Sequence, residues 1–329
     1  MTHADPASRP LVSILIPSFN QGRYLTDALD STLAQDYRPL EVIVMDGGST
    51  DDTVSILHRY ARQWPELQWW SDPDRGVVDA VNKALARATG VYAGIQASDD
   101  IYLPGAITCA VDRLEANPRL GLVYGDGSIM DAEGQAVLWD SHYPPFSMES
   151  FLLGETVILQ SSAFFRLDLA RELGGWRESC FVADLDLWLR MSFVTQVEKV
   201  DSRFSVWRTH PGQRNDRTRE IWTSYWQMID DCEALRGASP ELRRAAHAGR
   251  RLFTSHYNPS SSHWYIRYQL WRAILASPRA FRALPDKAFL IPGLQRLLRR
   301  AGRVGAIRYP TPRSVESLNL RWWAAGDEV

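Results

Sequence analysis

An α/β fold, with a doubly wound and mostly parallel sheet flanked by helices and followed by a helical C-terminal extension, is predicted by three features. Short β-rich apolar runs alternate with stretches of helical spacing as far as residue 124. Polar and acidic residues fall just after those runs, where ligands bind in open α/β sheets. Charge is also divided: residues 240–329 hold 16 Lys and Arg against 5 Asp and Glu, whereas residues 1–239 hold 21 against 34.

The strands are expected at 11–17, 40–45, 67–70, 91–96 and 121–124, and the helices between them at 24–35, 53–63, 77–88 and 103–116, with Pro104 in the first turn of the last. Right-handed crossovers between such units give a doubly wound sheet. After Asp126 the rhythm changes to a hairpin-like stretch at 135–139, a short helix at 147–153 and a strand at 161–166. A helix starts near Asp184, and a β-rich pair follows at 195–200 and 204–208. Beyond Thr223 the chain is helical and Arg-rich, punctuated by Pro259, Pro278, Pro285 and Pro292, so we divide it at 1–220 and 221–329.

Composition excludes several classes. With 329 residues, 45% apolar and 23% charged, the chain is a soluble globular type with room for a large core. Cys109, Cys180 and Cys232 are too few and too scattered for a disulfide framework or a structural zinc site, which fits a reducing, cytoplasmic setting. No run approaches the ~20 apolar residues of a membrane span, and the first ten residues lack the features of a signal peptide. No G-x-G-x-x-G, P-loop, H-E-x-x-H or G-x-S-x-G string occurs, and no nucleic-acid partner is expected.

What remains is a succession of acidic loops: Asp46, Asp74, Asp99 with Asp100, and Asp184 with Asp186. Singly, each is a turn residue or an N-cap; together they converge on one sheet edge. The strings around them are P-S-F-N-Q-G-R-Y-L (17–25), D-G-G-S-T-D-D-T (46–53), D-P-D-R-G (72–76), D-A-V-N-K (79–83), S-D-D-I-Y-L-P-G-A (98–106), G-G-W-R-E-S (174–179) and D-L-D-L-W-L-R (184–190). In this order and spacing, over residues 11–215, the chain resembles the inverting, non-processive glycosyltransferases of family 2, which have a GT-A fold.

The resemblance implies a nucleotide-sugar donor and a divalent metal, Mn²⁺ or Mg²⁺. Pro17, Ser18, Phe19 and Asn20 match the loop whose backbone meets the nucleoside. Asp46 matches an acceptor for the imide N–H of uracil or a similar base; otherwise it caps the following helix, which Asp51 or Ser49 could do instead. Asp74, Arg75 and Gly76 match the loop beside the ribose and diphosphate, or form a surface turn. The D-x-D motif maps onto Ala97, Ser98 and Asp99, with Asp99 and its neighbour Asp100 as metal ligands. Ala97 replaces the usual first acidic or amide residue. His210, in W-R-T-H-P-G-Q, matches a ligand near the diphosphate, or is structural.

Asp184 matches the catalytic base, with Ala183 where an acidic residue usually precedes it and Asp186 as second choice. Trp176 and Trp188 are candidates to line an acceptor sugar, whose C–H faces stack on aromatic rings, with core packing the safer reading of Trp188. The implied function is metal-dependent inverting transfer to a glycan or lipid-linked glycan in bacterial surface or exopolysaccharide assembly. A non-catalytic nucleotide-sugar or glycan-binding protein on the same scaffold is the alternative, suggested by Ala97 and Ala183 and opposed by Asp99 and Asp184. A nucleotidylyltransferase would carry a Gly-rich basic loop where residues 18–24 stand. Residues 261–308 carry aromatic and Leu stripes bordered by Arg: Trp264, Tyr268, Trp271 and Leu275 beside Arg267 and Arg272, then Leu294, Leu297 and Leu298 beside Arg296, Arg299 and Arg300. Such stripes serve an anionic membrane surface, packing on the catalytic domain, or a homodimer.

Overall fold

The computed structural model describes residues 9–257, 263–281 and 313–314. Four parallel strands open the sheet in the order β3-β2-β1-β4: β1 (Val12–Ser18), β2 (Leu40–Asp46), β3 (Leu67–Ser71) and β4 (Tyr92–Ile95). Between them run α1 (Gly22–Leu33), α2 (Thr53–Gln63) and α3 (Val77–Arg87). β1 and β2 are buried at every position, as continuous apolar runs covered on both faces must be. Their register aligns Ser18 with Asp46, and Asp46 with Ser71, along the carboxyl edge.

The remaining strands are β5 (Ile101–Tyr102), β6 (Leu120–Met130), β7 (Ala136–Asp140), β8 (Ala163–Arg166) and β9 (Gln196–Arg208). β8 enters antiparallel between β4 and β6, and β7 closes the expected hairpin with β6. Here the sequence reading needs two corrections. The runs at 195–200 and 204–208 are one strand of 13 residues, parallel to β6; a register shift between Tyr124 and Asp126 steps from Lys199 to Arg203, so residues 200–202 bulge out of the ladder without ending the strand. Residues 101–102, to which the sequence assigns no element, pair antiparallel with β9 (Ile101↔Val206, Tyr102↔Ser205), and α4 (Ala106–Ala116) starts beyond Pro104 rather than at 103. That pairing lays the loop at 98–100 against the end of β9.

α5 (Met148–Leu153), α6 (Leu167–Glu172) and α7 (Ala183–Val194) line one face of the sheet. They are followed by α8 (Thr218–Asp231), α9 (Glu233–Arg236), α10 (Pro240–Tyr257) and α11 (His263–Ala276). One hydrophobic cluster joins Leu15 and Tyr124 of the sheet to Trp188 of α7, Tyr225 and Met228 of α8 and Ala245 of α10. α10 crosses α5 at Gly249, where a Cβ would stand 1.7 Å from the Leu152 carbonyl oxygen, so only glycine admits this approach. Arg279, in the turn after α11, pairs with Glu149 at 2.7 Å and Glu155 at 3.2 Å. A two-residue strand at Arg313–Ser314 adds to β7. The stripe at 294–300 lies outside the described residues.

Candidate active site

The loops after β1 and β2 are knitted together. Asn20, in the left-handed region with φ of 51°, accepts from Thr50 N at 2.9 Å through Oδ1, while its own N–H donates to Ser49 Oγ at 2.7 Å. The Asp46 carboxylate, 2% exposed, accepts from Ser49 N (2.9 Å), Gly48 N (3.2 Å) and Ser71 Oγ (2.6 Å) at Oδ2, and from Ser49 Oγ at Oδ1. It therefore does not cap α2. Nor does the N-cap residue Asp52, whose side chain makes no capping bond; Asp51 before it accepts from Thr53 N, the first residue of the helix, at 3.0 Å and from Gly22 N at 2.9 Å. Asp46 Oδ1 carries a single donor and keeps acceptor capacity. Pro17 and Ser18 are buried in β1, whereas the Phe19 ring stands 58% exposed at its end.

Asp74 Oδ1 accepts from Gly76 N at 2.7 Å, and its Oδ2 lies where a Cβ on Gly47 would come within 2.8 Å, so the second and third loops abut. Gly76 opens α3 with φ of 106°, a conformation side chains resist, and leaves open space above its backbone. The Arg75 guanidinium is engaged elsewhere: it donates to Glu178 at 2.7 and 3.1 Å and to Asp79 at 3.2 Å, tying this loop to the one at 174–179. Hydrogen bonds from Lys83 and from the Arg75 amide hold Asp79 down at about 2.

Asp99 and Asp100 face opposite ways. Asp100 was expected as a metal ligand beside Asp99, but the fold sinks it into the protein, 4% exposed, where Oδ2 accepts from Ser161 Oγ at 2.6 Å and Oδ1 from Arg208 N at 3.0 Å. Burial, then the neighbouring Asp99 charge, push its proton affinity well above that of an ordinary carboxyl. Asp99 instead turns to His210, with Oδ2 3.0 Å from Nε2. His210 Nδ1 lies 3.1 Å from the Pro211 carbonyl oxygen. Nε2 can donate directly to the Asp99 carboxylate, or, in the tautomer whose proton is on Nδ1 and is donated to the Pro211 carbonyl, the Nε2 lone pair and the Asp99 oxygen become two ligand atoms for a cation. Among the described residues no group of three or more His, Cys, Asp or Glu is placed to hold a metal. Two protein ligands completed by phosphate oxygens and water are, however, a normal complement for Mg²⁺ or Mn²⁺, so this pair fits such an ion.

Behind the pair stands Arg208, 1% exposed, a residue the sequence reading passed over. Its guanidinium donates to the Asp99 carbonyl (3.0 Å), the Ala132 carbonyl (3.1 Å) and Asp27 (2.6 Å), and lies 4.8 Å from the ring centroid of Tyr24. Tyr24 in turn meets the His210 ring at 4.8 Å. One buried cation thus supports both prospective ligands. Burial raises the Asp27 pKa, and Arg208 offsets part of that rise.

Asp184 lies half-buried in the first turn of α7. Burial raises its pKa, while backbone hydrogen bonding and the charge of Arg214 act the other way. Arg214, four residues after His210, and Arg217 are not among the candidates that the motifs single out; their guanidinium carbons lie 3.9 and 5.0 Å from the Phe181 ring centroid. The signal was present in the basic run that follows H-P-G-Q. Asp186, the second choice for a base, is 1% exposed and ion-paired with Arg190 at 2.7 Å and Arg177 at 3.2 Å. Trp188 is core as expected, and Trp176 is also buried, its backbone clasped by Asn82. Two surface hollows, about 520 Å³ beside His58 and about 560 Å³ between Phe193 and Arg236, are lined by none of the candidate residues.

The sequence profile of glycosyl transferase family 2 matches residues 13–173. The chain is 32% identical over 186 residues to the chondroitin synthase of Escherichia coli, a match covering 56% of this chain and 27% of that protein. It is 33% identical over 195 residues to an uncharacterized glycosyltransferase of Mycobacterium tuberculosis, covering 57% of this chain and 71% of that one. The chain therefore spans about a quarter of the synthase but most of the mycobacterial relative. Among solved structures, a Pyrobaculum calidifontis mannosyltransferase in complex with GDP-Man and Mn²⁺ superposes with a TM-score of 0.62 at 22% identity, over 98% of this chain and 85% of that one. Staphylococcus aureus TarS 1–349 with UDP-GlcNAc gives 0.60 at 16% identity, over 89% and 88%.

Proposed function

We propose, from the premise that this chain belongs to glycosyltransferase family 2 and is a glycosyltransferase of GT-A fold, that it is a metal-dependent inverting enzyme. It would transfer the sugar of a nucleoside-diphosphate-sugar to a hydroxyl of a glycan or lipid-linked glycan. The observation that carries this reading is the meeting of Asp99 and His210, 111 residues apart, at 3.0 Å over the buried Arg208. The half-buried carboxylate of Asp184, which would serve as the base, supports transfer over mere nucleotide-sugar binding.

The loops ending β1, β2 and β3 would take the nucleoside: Phe19 offers an exposed ring for the base, Asp46 Oδ1 an acceptor, and Gly76 an unobstructed backbone. Asp99 and His210 would hold Mn²⁺ or Mg²⁺, which supplies Lewis-acid neutralisation of the departing diphosphate. Asp100 would be a support for that loop rather than a ligand. Asp184 would accept the proton of the acceptor hydroxyl as its oxygen attacks the anomeric carbon, and the bond to the diphosphate oxygen breaks with its electron pair leaving on the nucleotide. Partial desolvation raises the basicity of Asp184, and backbone hydrogen bonding and the charge of Arg214 offset part of that rise. The names of the relatives, chondroitin and hyaluronan synthases among them, support a role in bacterial surface or exopolysaccharide assembly. The three cysteines are all free, which supports a reducing, cytoplasmic setting.

The test is a panel of nucleotide-sugars, offered to the purified chain with Mn²⁺ and oligosaccharide acceptors, with release of nucleoside diphosphate as readout. Release from one donor that EDTA abolishes supports the proposal. No release from any donor, or release indifferent to EDTA, refutes it.

A further inference from the structure

The last α-helix among the described residues carries a face that sugar transfer does not use. α11 packs on α10 through Leu270 and Ala273, 5% and 0% exposed, and through Gln269, which accepts from Arg251 at 2.8 Å. On its other side Trp264, Tyr268, Trp271 and Leu275 recur at i, i+4, i+7 and i+11 and are 69, 53, 47 and 81% exposed. A soluble helix normally turns its large apolar side chains to a core and polar ones to water; α11 has apolar side chains on both faces. The Arg267 guanidinium borders the outer stripe 5.5 Å from the Trp264 ring centroid. Arg272 lies 5.5 Å from that of Tyr268 and donates to its hydroxyl at 3.1 Å. Between His263 and Ala276 there is no Asp or Glu, and residues 282–329 hold nine Lys and Arg against four Asp and Glu.

We propose that α11 docks flat on an anionic lipid surface through this outer face. Trp and Tyr rings carry an apolar body and a polar edge and settle at the level of lipid headgroups, while flanking Arg side chains meet the phosphates. Charge decides between lipid and a second copy of this chain. A twofold contact through this face would bring Arg272 towards the basic residues of the mate's helix, which carries no carboxylate of its own. No helix among the described residues is long and apolar enough to cross a membrane, so the contact is peripheral. This proposal stands apart from the sugar-transfer reading and survives if that reading fails.

The experiment is co-sedimentation of the full chain with phosphatidylcholine vesicles and with vesicles in which about a third of the lipid is phosphatidylglycerol, at low and high salt. Binding to the anionic vesicles only, weakened by salt, is expected. Two variants are compared with it, Trp264→Ser with Leu275→Ser, and Arg267→Glu with Arg272→Glu. Each is expected to bind at least about tenfold more weakly with an unchanged melting temperature. Absence of binding to anionic vesicles at low salt overturns the proposal. So does undiminished binding by both variants, which would put the contact on residues 282–329. A wild-type dimer that ignores vesicles and is lost in the Trp264→Ser, Leu275→Ser variant also overturns it, by making the face a contact between copies.

Discussion

The loop at 98–100 and the first turn of α7 each carry two carboxylates close in sequence, and in each the fold sinks one and leaves the other partly exposed. Asp100 and Asp186 are the sunken members, 4% and 1% exposed. Their partners differ. Asp100 receives only neutral donors, the Ser161 hydroxyl and the Arg208 amide, beside another carboxylate, and its proton affinity rises. Asp186 receives the guanidinium groups of Arg190 and Arg177. A buried acid can thus be accommodated by neutral hydrogen bonds that tolerate its protonated form, or by counter-ions that leave an uncompensated charge when it is removed.

The sharpest way to break this comparison is at α7. Asp184→Asn is expected to lower product formation by about 10²–10⁴-fold while nucleoside diphosphate binding, read by calorimetry, stays near wild type. Asp186→Asn should act on the fold: Arg190, 8% exposed, loses its buried partner, a change that costs about 3–5 kcal/mol and shows as a marked fall in melting temperature. Turnover of Asp184→Asn within tenfold of wild type would remove Asp184 from the chemistry.

At 98–100 the expected effects are smaller. Asp99→Ala should weaken Mn²⁺-dependent nucleotide binding by about 10–100-fold. Asp100→Asn, which keeps an amide oxygen for one of its two donors, should cost about 1 kcal/mol of stability and leave the Mn²⁺ titration nearly in place. Equal losses of metal affinity in the two variants would contradict the assignment of Asp99 as ligand and Asp100 as support.

The smallest effect is in pH dependence. Burial raises the Asp184 pKa above the ordinary 3.8, so the acid limb of the transfer rate should lie above the range of a free carboxylate. The folded state binds this proton more tightly than the unfolded one; ionising the group therefore weakens the fold above the folded-state pKa, and that penalty fades as pH falls towards 3.8. Asp184→Asn should accordingly melt slightly above wild type near neutral pH and converge with it on acidification. A difference of opposite sign, or one that grows in acid, would mean that the carboxylate is stabilised by its surroundings.

The sequence by itself determined the alternation of strands and helices. Runs such as 40–45 and 53–63 announce themselves through periodicity, and periodicity is a local property of the chain. It also placed Asp46, Asp74, Asp99 and Asp184 at strand ends or a helix start. Only the tertiary structure decided which side chain of each acidic pair would be sunk. Asp100 is held by Ser161 and Arg208, 61 and 108 residues away, through a two-residue strand too short to leave a pattern. The diversion of Arg75 to Glu178 spans 103 residues, and the meeting of Asp99 with His210 spans 111. Hydrogen bonds and ion pairs form between whatever groups the packed sheet brings within about 3 Å, and no local periodicity records those partners.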